Sequence, residues 1–388
     1  MQCTTICYDK LLLEELQQVY GQYGLISFLE AIKRPPTRYY VRVNTLRMDP
    51  GELLDEMRSK GYRVFRDEYF AEALWFPVEG PNKLADPGCY IVVDKKAAES
   101  IMMGAHVYAP GVKRVDECVQ PGAVVAIKAE NGVMVANAVI AKEFSQSLRL
   151  GRGIVAENIQ PLYRVPSLRD TEWSKKGLIY EQSISSMLVA RVLDPRPRST
   201  IVDMCAAPGG KTGHAYELVR GNARIIAIDH SVSKTRKLVN NMQRLGHKGI
   251  EVLQIDARYV DLELGKNIAD YVILDPPCTS LGVLPKVWDK KSYEDVRNSS
   301  HYQRQFLKAA YELLKPGGVL VYSTCTTTIS ENENNIDYAI NKLGFKTLYP
   351  GIRRFSKGLE PYREYAIRVH PHIHGATGYF VIKLVKPS

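Results

Sequence analysis

The apolar positions change period twice along the chain, and the changes divide it into three stretches. In residues 9–33, Leu12, Leu16 and Val19 share one helical face and Leu25, Phe28, Leu29 and Ile32 the next, which predicts two consecutive helices. A strand is expected at 39–43. Asp49-Pro50 then opens a helix carrying Leu53, Leu54 and Met57, Gly61 stops it, and a second strand follows near 62–65. This small N-terminal α+β layer takes up residues 1–90. From 91 to 165 the pattern turns β-rich, with a strand at 91–93, a short helix through Ala97, Ala98, Ile101 and Met102 to Gly104, and apolar runs at 124–129 and 133–140. Asn131-Gly132 between those runs is a hairpin signal, because both residues tolerate positive φ.

From 166 to 388, apolar strands alternate with periodic helices, the pattern of an α/β, Rossmann-like doubly wound sheet. Strands are expected at 200–204, 224–228, 251–255, 271–274, 319–323 and 379–384. Leu238, Met242 and Leu245 form a helical face before Gly246, and Phe306, Ala310 and Leu313 another before Pro316. A third helix carries Ile336, Ala339, Ile340 and Leu343. Ser330 and Glu333 are expected to form its capping box, and Gly344 its stop. No apolar run approaches the ~18 residues of a membrane span. The N-terminus lacks a basic segment followed by an apolar one, so no secretory signal is read and a cytoplasmic protein is expected.

Composition then adds a partner. A net charge of +10 on 388 residues suits a polyanion such as nucleic acid. The seven cysteines are scattered, which favours free thiols in a reducing compartment. Cys3 and Cys7 resemble half a metal site, but no second close pair completes it, so no structural metal is expected. In the middle stretch, VDKKAAESIMMGAHVYAPGV (93–112), QPGAVVAIKAENGVMVANAVI (120–140) and GRGIVAE (151–157) resemble a PUA domain, an RNA-binding module.

The chemistry sits at strand ends. After the first strand of the α/β region comes DMCAAPGGKT (203–212), a Gly-rich turn that would let backbone approach a ligand closely; it matches neither G-x-G-x-x-G nor a Walker A loop. Asp229 ends the next strand, 26 residues after Asp203, where Rossmann-type folds place a carboxylate that accepts from two ribose hydroxyls. Asp256 ends the third, placed for an adenine amino group. The fourth strand runs into Asp275-Pro-Pro-Cys278 and the fifth into Ser323-Thr-Cys325. If those strands are neighbours, ~4.8 Å apart, both cysteines overhang the edge where ligands bind.

Two such thiols suit methylation of cytosine at carbon 5. That carbon is a poor nucleophile until a thiolate adds to carbon 6 and makes it enamine-like. One cysteine attacks, the other assists release, and Asp275 contacts the base edge. A free thiol of pKa ~8.5 is mostly protonated at neutral pH, so the pocket should lower it, with the sulfonium of a methyl donor or Lys211 as the source.

These residues carry a family resemblance. DMCAAPGGKT, DPPC (275–278), LKPGGVLVYSTCT (314–326) and SENEN (330–334) look like the NSUN family of RNA:cytosine-5 methyltransferases, as do RVNTLR (42–47), YEQSISSML (180–188) and HPHIHGATGYFVIKL (370–384). With a PUA-like module between the N-terminal layer and the catalytic part, the chain is most similar to the sixth NSUN subfamily or its archaeal counterpart. The resemblance implies a domain dependent on S-adenosylmethionine, with Cys325 as nucleophile and Cys278 as release cysteine. It implies Cys205, Ala206, Ala207, Pro208, Gly209, Gly210, Lys211, Asp229, Lys234, Asp256 and Asp275 as the cofactor site, and tRNA, modified near the 3′ end of the acceptor stem, as substrate. Thr279-Ser280 departs from the family's usual Ser-Gly, which implies a tighter approach at the base pocket.

Other readings remain at this stage. A different RNA, such as rRNA, is the alternative substrate. An exocyclic-amine methyltransferase would carry an aromatic residue where Cys278 stands and would leave Cys325 idle, and a DNA cytosine methyltransferase would use Cys278 as nucleophile. An RNA-binding protein with a dead methyltransferase fold would have no need of the complete set of positions. His370, His372 and His374 alternate on a strand-like segment; a structural or RNA-facing role is expected for them.

Overall fold

In the computed structural model, residues 5–388 are described; Cys3, half of the metal motif considered above, lies outside them. The C-terminal part is built on a nine-stranded sheet of β1 (Thr200–Asp203), β2 (Arg224–Ile228), β3 (Ile250–Leu253), β4 (Ala269–Leu274), β5 (Leu314–Thr324), β6 (Lys346–Leu348), β7 (Ser356–Lys357), β8 (Ala366–Val369) and β9 (Tyr379–Val385). Their order is β3-β2-β1-β4-β5-β9-β8-β7, with β6 also on β9. Strands β1 to β5 pair in parallel and β9 runs antiparallel to β5. The central strands are apolar on both faces because helices cover both. Helix Tyr293–Leu313 seals one side with Phe306, Ala310 and Leu313; helices Ile184–Leu193 and Gly210–Leu218 seal the other. Chain order reverses between β1 and β4, the switch point beside which α/β sheets open a ligand crevice.

The N-terminal helix Lys10–Ala31 contains Gly21 at φ +68°, ψ 176°, so it is two helices across an elbow, as the two apolar faces predict. Its layer has a four-stranded sheet in the order Ile179–Glu181, Arg38–Val43, Ala73–Pro77, Phe65–Arg66. The β-rich middle forms a six-stranded sheet around Ile91, Val93, Ile127, Val135 and Val155.

Several expectations need correction. Cys89 and Cys118 form a disulfide and Cys7 is also disulfide-bonded, leaving only Cys205, Cys278 and Cys325 as free thiols among the described residues. In the hairpin only Gly132 takes positive φ (+84°). Its N–H donates to Ala129 O and the strand register shifts, so the connection is a three-residue loop with a bulge. Ser330 and Glu333 form no capping box. The Ser330 N–H donates to the Glu15 carboxylate and Glu333 pairs with buried Arg368, while the capping box that does form is Ser292 with Asp295. The segment Pro371–His374 is a helical turn rather than a strand. His370 and His372 pack edge-on against Tyr20, 5.3 and 5.2 Å between ring centroids, which is a structural contact.

Candidate active site

The loop after β1 is held from three directions. The Ala206 N–H donates to Ile228 O (2.8 Å), Asn241 donates to Pro208 O (2.8 Å), and the buried Arg42 guanidinium of the N-terminal layer donates to Gly210 O (2.7 Å). Gly209 sits at φ +108°, and a Cβ there would come within 2.7 Å of Leu238 and Met242. Glycine is therefore required by backbone conformation and helix packing, a different reason from the ligand approach expected above. The Asp203 carboxylate accepts from the Thr212 hydroxyl (2.7 Å); burial raises its pKa to about 6.

Above this floor opens a cavity of about 340 Å³ lined by residues just after β1, β2, β3, β4 and β5 and from helix Tyr293–Leu313. Among the sequence-identified residues Cys205, Ala207, Asp229, Lys234, Asp256, Asp275, Cys278 and Cys325 line it; Ala206, Pro208, Gly209, Gly210 and Lys211 do not. Asp229 is buried, and its carboxylate accepts the Ser231 N–H (3.1 Å). Asp256 is already engaged by Arg258, 2.5 Å away, and that guanidinium lies 4.8 Å over the Tyr302 ring. Tyr302 and Phe306, edge to face at 5.0 Å, make an apolar wall that sequence reasoning missed, because Phe306 reads as one more position of a core face.

Asp275 joins the two halves of the site. It pairs with Lys211 at 2.5 Å and accepts from Ser323 and Tyr379 at 3.1 Å each. Burial works against the Lys211 charge, but the facing Asp275 outweighs it and lifts its pKa well above that of free lysine.

Neighbouring β4 and β5 bring Cys278 and Cys325 together with 3.2 Å between sulfurs. At that distance one sulfur donates its proton to the other. The hydrogen bond from Cys278 is the largest influence on Cys325 and lowers its pKa against burial and Asp275. Ser280 and Lys211 add smaller lowering effects. Cys278 is pushed well up, by the same bond and by burial. Of the two expected sources of acidity, the donor's sulfonium and Lys211, Lys211 is secondary to the thiol partner. Of the two thiols Cys325 is the one more readily ionised, and the pair stands beside a carboxylate-lined cavity.

Comparison with known proteins agrees with this architecture. A family model described as 16S rRNA methyltransferase RsmB/F matches residues 190–385, and a PUA domain matches 89–162. A curated tRNA (cytosine(72)-C(5))-methyltransferase from Pyrococcus horikoshii is 38% identical over 98% of this chain and 97% of its own length. The human tRNA (cytosine(72)-C(5))-methyltransferase NSUN6 is 30% identical over 84% of this chain and 76% of its own. The crystal structure of NSun6 from Pyrococcus horikoshii with SFG superposes with a TM-score of 0.91 at 37% identity, covering 98% of this chain and 99% of that one. A thiol pair at the ends of two neighbouring strands, the RsmB/F match and near full-length similarity place the chain in the NSUN family of RNA:cytosine-5 methyltransferases, most like its sixth, PUA-containing subfamily.

Proposed function

We propose that this chain methylates carbon 5 of a cytosine in tRNA, near the 3′ end of the acceptor stem, with S-adenosylmethionine as donor and Cys325 as nucleophile. The observation that carries the reading is the pair of sulfurs 3.2 Å apart at the rim of the acid-lined cavity. The cavity's residues fit the donor. Asp229 suits the ribose hydroxyls, Tyr302 and Phe306 an adenine face, and Cys205 to Lys211 with Lys234 the remainder of a molecule whose sulfonium is favoured by nearby carboxylates. Asp256, with its carboxylate held by Arg258, suits the adenine edge. Bound there, S-adenosylmethionine supplies an electrophilic methyl group.

The protein's own part lies with the two cysteines. The Cys325 thiolate adds to carbon 6 of a cytosine taken out of its stack, while Asp275 contacts the base edge. Formation of that S–C bond removes the largest of the influences that raise the Cys278 pKa, its hydrogen bond to the Cys325 sulfur. Cys278 can then lose its proton to water and, as a thiolate, take the proton from carbon 5 once the methyl is in place. Its restored S–H then stabilises the departing Cys325 thiolate. We assign residues 91–165 the role of RNA-binding module, residues 1–90 that of an N-terminal layer, residues 166–388 that of the catalytic part, and the cytoplasm as the compartment where tRNA is met. Incubation of pure protein with S-adenosylmethionine and tRNA, followed by nucleotide mapping, should place 5-methylcytosine in the acceptor stem. Modification of rRNA but not tRNA would favour the alternative substrate instead.

A further inference from the structure

Ser280 lies two residues beyond Cys278, at φ +57°, the left-handed region that favours glycine. The conformation is enforced by its neighbours. The Thr279 N–H donates to buried Glu331 (2.9 Å), the Val283 N–H donates to Ser280 O (3.1 Å), and the Gly282 N–H donates to the carbonyl of Cys325 itself (3.0 Å). Gly282 also passes so close to Gly378 that a Cβ would stand 2.4 Å from its carbonyl oxygen. The loop is therefore clamped onto β5 at the nucleophile. Its one strained residue carries a hydroxyl where a glycine would fit the backbone without penalty.

That hydroxyl lines the cavity, accepting from the Cys325 thiol at 3.4 Å and lying 3.8 Å from the Cys278 sulfur. It can also donate to Cys278 O, 3.4 Å away. A hydroxyl placed between a carbonyl and a sulfur can turn to whichever is the stronger acceptor, and a thiolate is stronger than either a thiol or a peptide carbonyl. We propose that Ser280 is a third catalytic member of the thiol pair, donating its O–H to the Cys325 thiolate. Two donors, Cys278 S–H and Ser280 O–H, then hold one half-buried sulfur anion. Cys278 offers no donor between losing its proton and taking the one from carbon 5, whereas Ser280 keeps an O–H beside the Cys325 sulfur throughout.

The inference rests on Cys325 being the nucleophile, so the test separates the two ideas. Full-length Ser280→Gly and Ser280→Ala are treated with iodoacetamide across pH 5–10, and modification of the Cys325 peptide is followed by mass spectrometry. Loss of the hydroxyl should slow Cys325 alkylation roughly tenfold at neutral pH and restore the parent rate at high pH, the scale of one hydrogen bond to a charged group. Ser280→Gly should melt no lower than the parent, since it relieves the left-handed backbone. An unchanged pH profile, or slowing by the same factor at every pH, overturns the proposal. Alkylation needs neither tRNA nor donor, so Ser280 stands or falls by this result alone. Whether Cys325 is the nucleophile is read separately, from methylation by Cys325→Ala.

Discussion

At the scale of single residues, the two cysteines are unlike in acidity although they are alike in position. Cys325→Ala should abolish methylation and leave donor affinity almost unchanged; retention of a tenth of parental turnover would exclude it as nucleophile. Cys278→Ala should have two effects. It removes the base that frees the product, so a covalent protein–RNA adduct should accumulate on a denaturing gel. It also removes the largest influence lowering the Cys325 pKa, so adduct formation should be slow at neutral pH and accelerate toward the ordinary thiol pKa of ~8.5. A band that persists in the double variant with Cys325→Ala would reverse the two roles. Asp229, Asp275 and both cysteines were legible in the sequence because each ends an apolar run, and strand ends of a doubly wound sheet converge. Tyr302 was not, and Ser280 stood out only as a departure from the usual glycine. Tyr302 comes from a helix whose periodic face reads as core, and the angle at which Ser280 meets the sulfur depends on a loop clamped by partners such as Glu331, which is distant in sequence.

At the scale of elements, the N-terminal strand Arg38–Val43 takes part in the architecture of the donor loop. Arg42 is fully buried, pairs with Glu217 at 2.8 Å and reaches Gly210 O, so one side chain ties this strand to both the helix Gly210–Leu218 and its first turn. Burial pushes the Glu217 carboxyl up, but Arg42 and His247 together outweigh it and hold its pKa below the ordinary range. Arg42→Met should cost about 3–5 kcal/mol of stability, because it strands a buried carboxylate. It should also weaken donor binding, which calorimetry can follow; a variant with parental melting and affinity would show the contact to be idle. The motif RVNTLR was recognisable, yet no periodicity announces that an arginine on a strand points into a core. The same holds for the Cys89–Cys118 bond. Spacing alone does not reveal that the strand Tyr90–Val93 runs beside its neighbour Val112–Val115, which brings the two Cα atoms to 6.0 Å. Closing a loop of 29 residues is worth roughly 3–4 kcal/mol on the chain-entropy account, so reductant should lower the melting of the PUA unit before that of the catalytic part.

At the scale of the molecule, one short stretch of the catalytic part fastens the PUA unit to it. Val287 and Trp288 pack with the PUA core, and Asn131 donates to Val287 O (3.2 Å). Asp289 is buried and gathers Lys95 of the PUA unit (2.7 Å), Lys286 (3.1 Å) and the Tyr8 hydroxyl (3.0 Å). The three stretches were visible as changes of hydrophobic period. This junction was not, because the strand Ile6–Tyr8 pairs with Asp289–Lys291 from the opposite end of the sequence, and such register leaves no local signal. Burial raises the Asp289 pKa, but Lys286 and Lys95 outweigh it and the net shift is downward. A carboxyl depressed in the folded state stabilises above its unfolded pKa of ~3.9 and loses that contribution as pH falls through the folded value. The junction should therefore be insensitive to pH near neutrality and loosen only in acid below about pH 4. Asp289→Asn mimics that loss at neutral pH by leaving two lysines without their counter-charge. If the catalytic part reads the acceptor end only while the PUA unit is held in register, the variant should raise the KM for tRNA several-fold while donor affinity stays at the parental value. Binding of tRNA to the parent should also fall steeply with salt, as expected for a chain of net charge +10 that displaces counterions from phosphates. A variant that keeps the parental KM would mean that the two parts bind RNA independently, with the bridge serving stability alone.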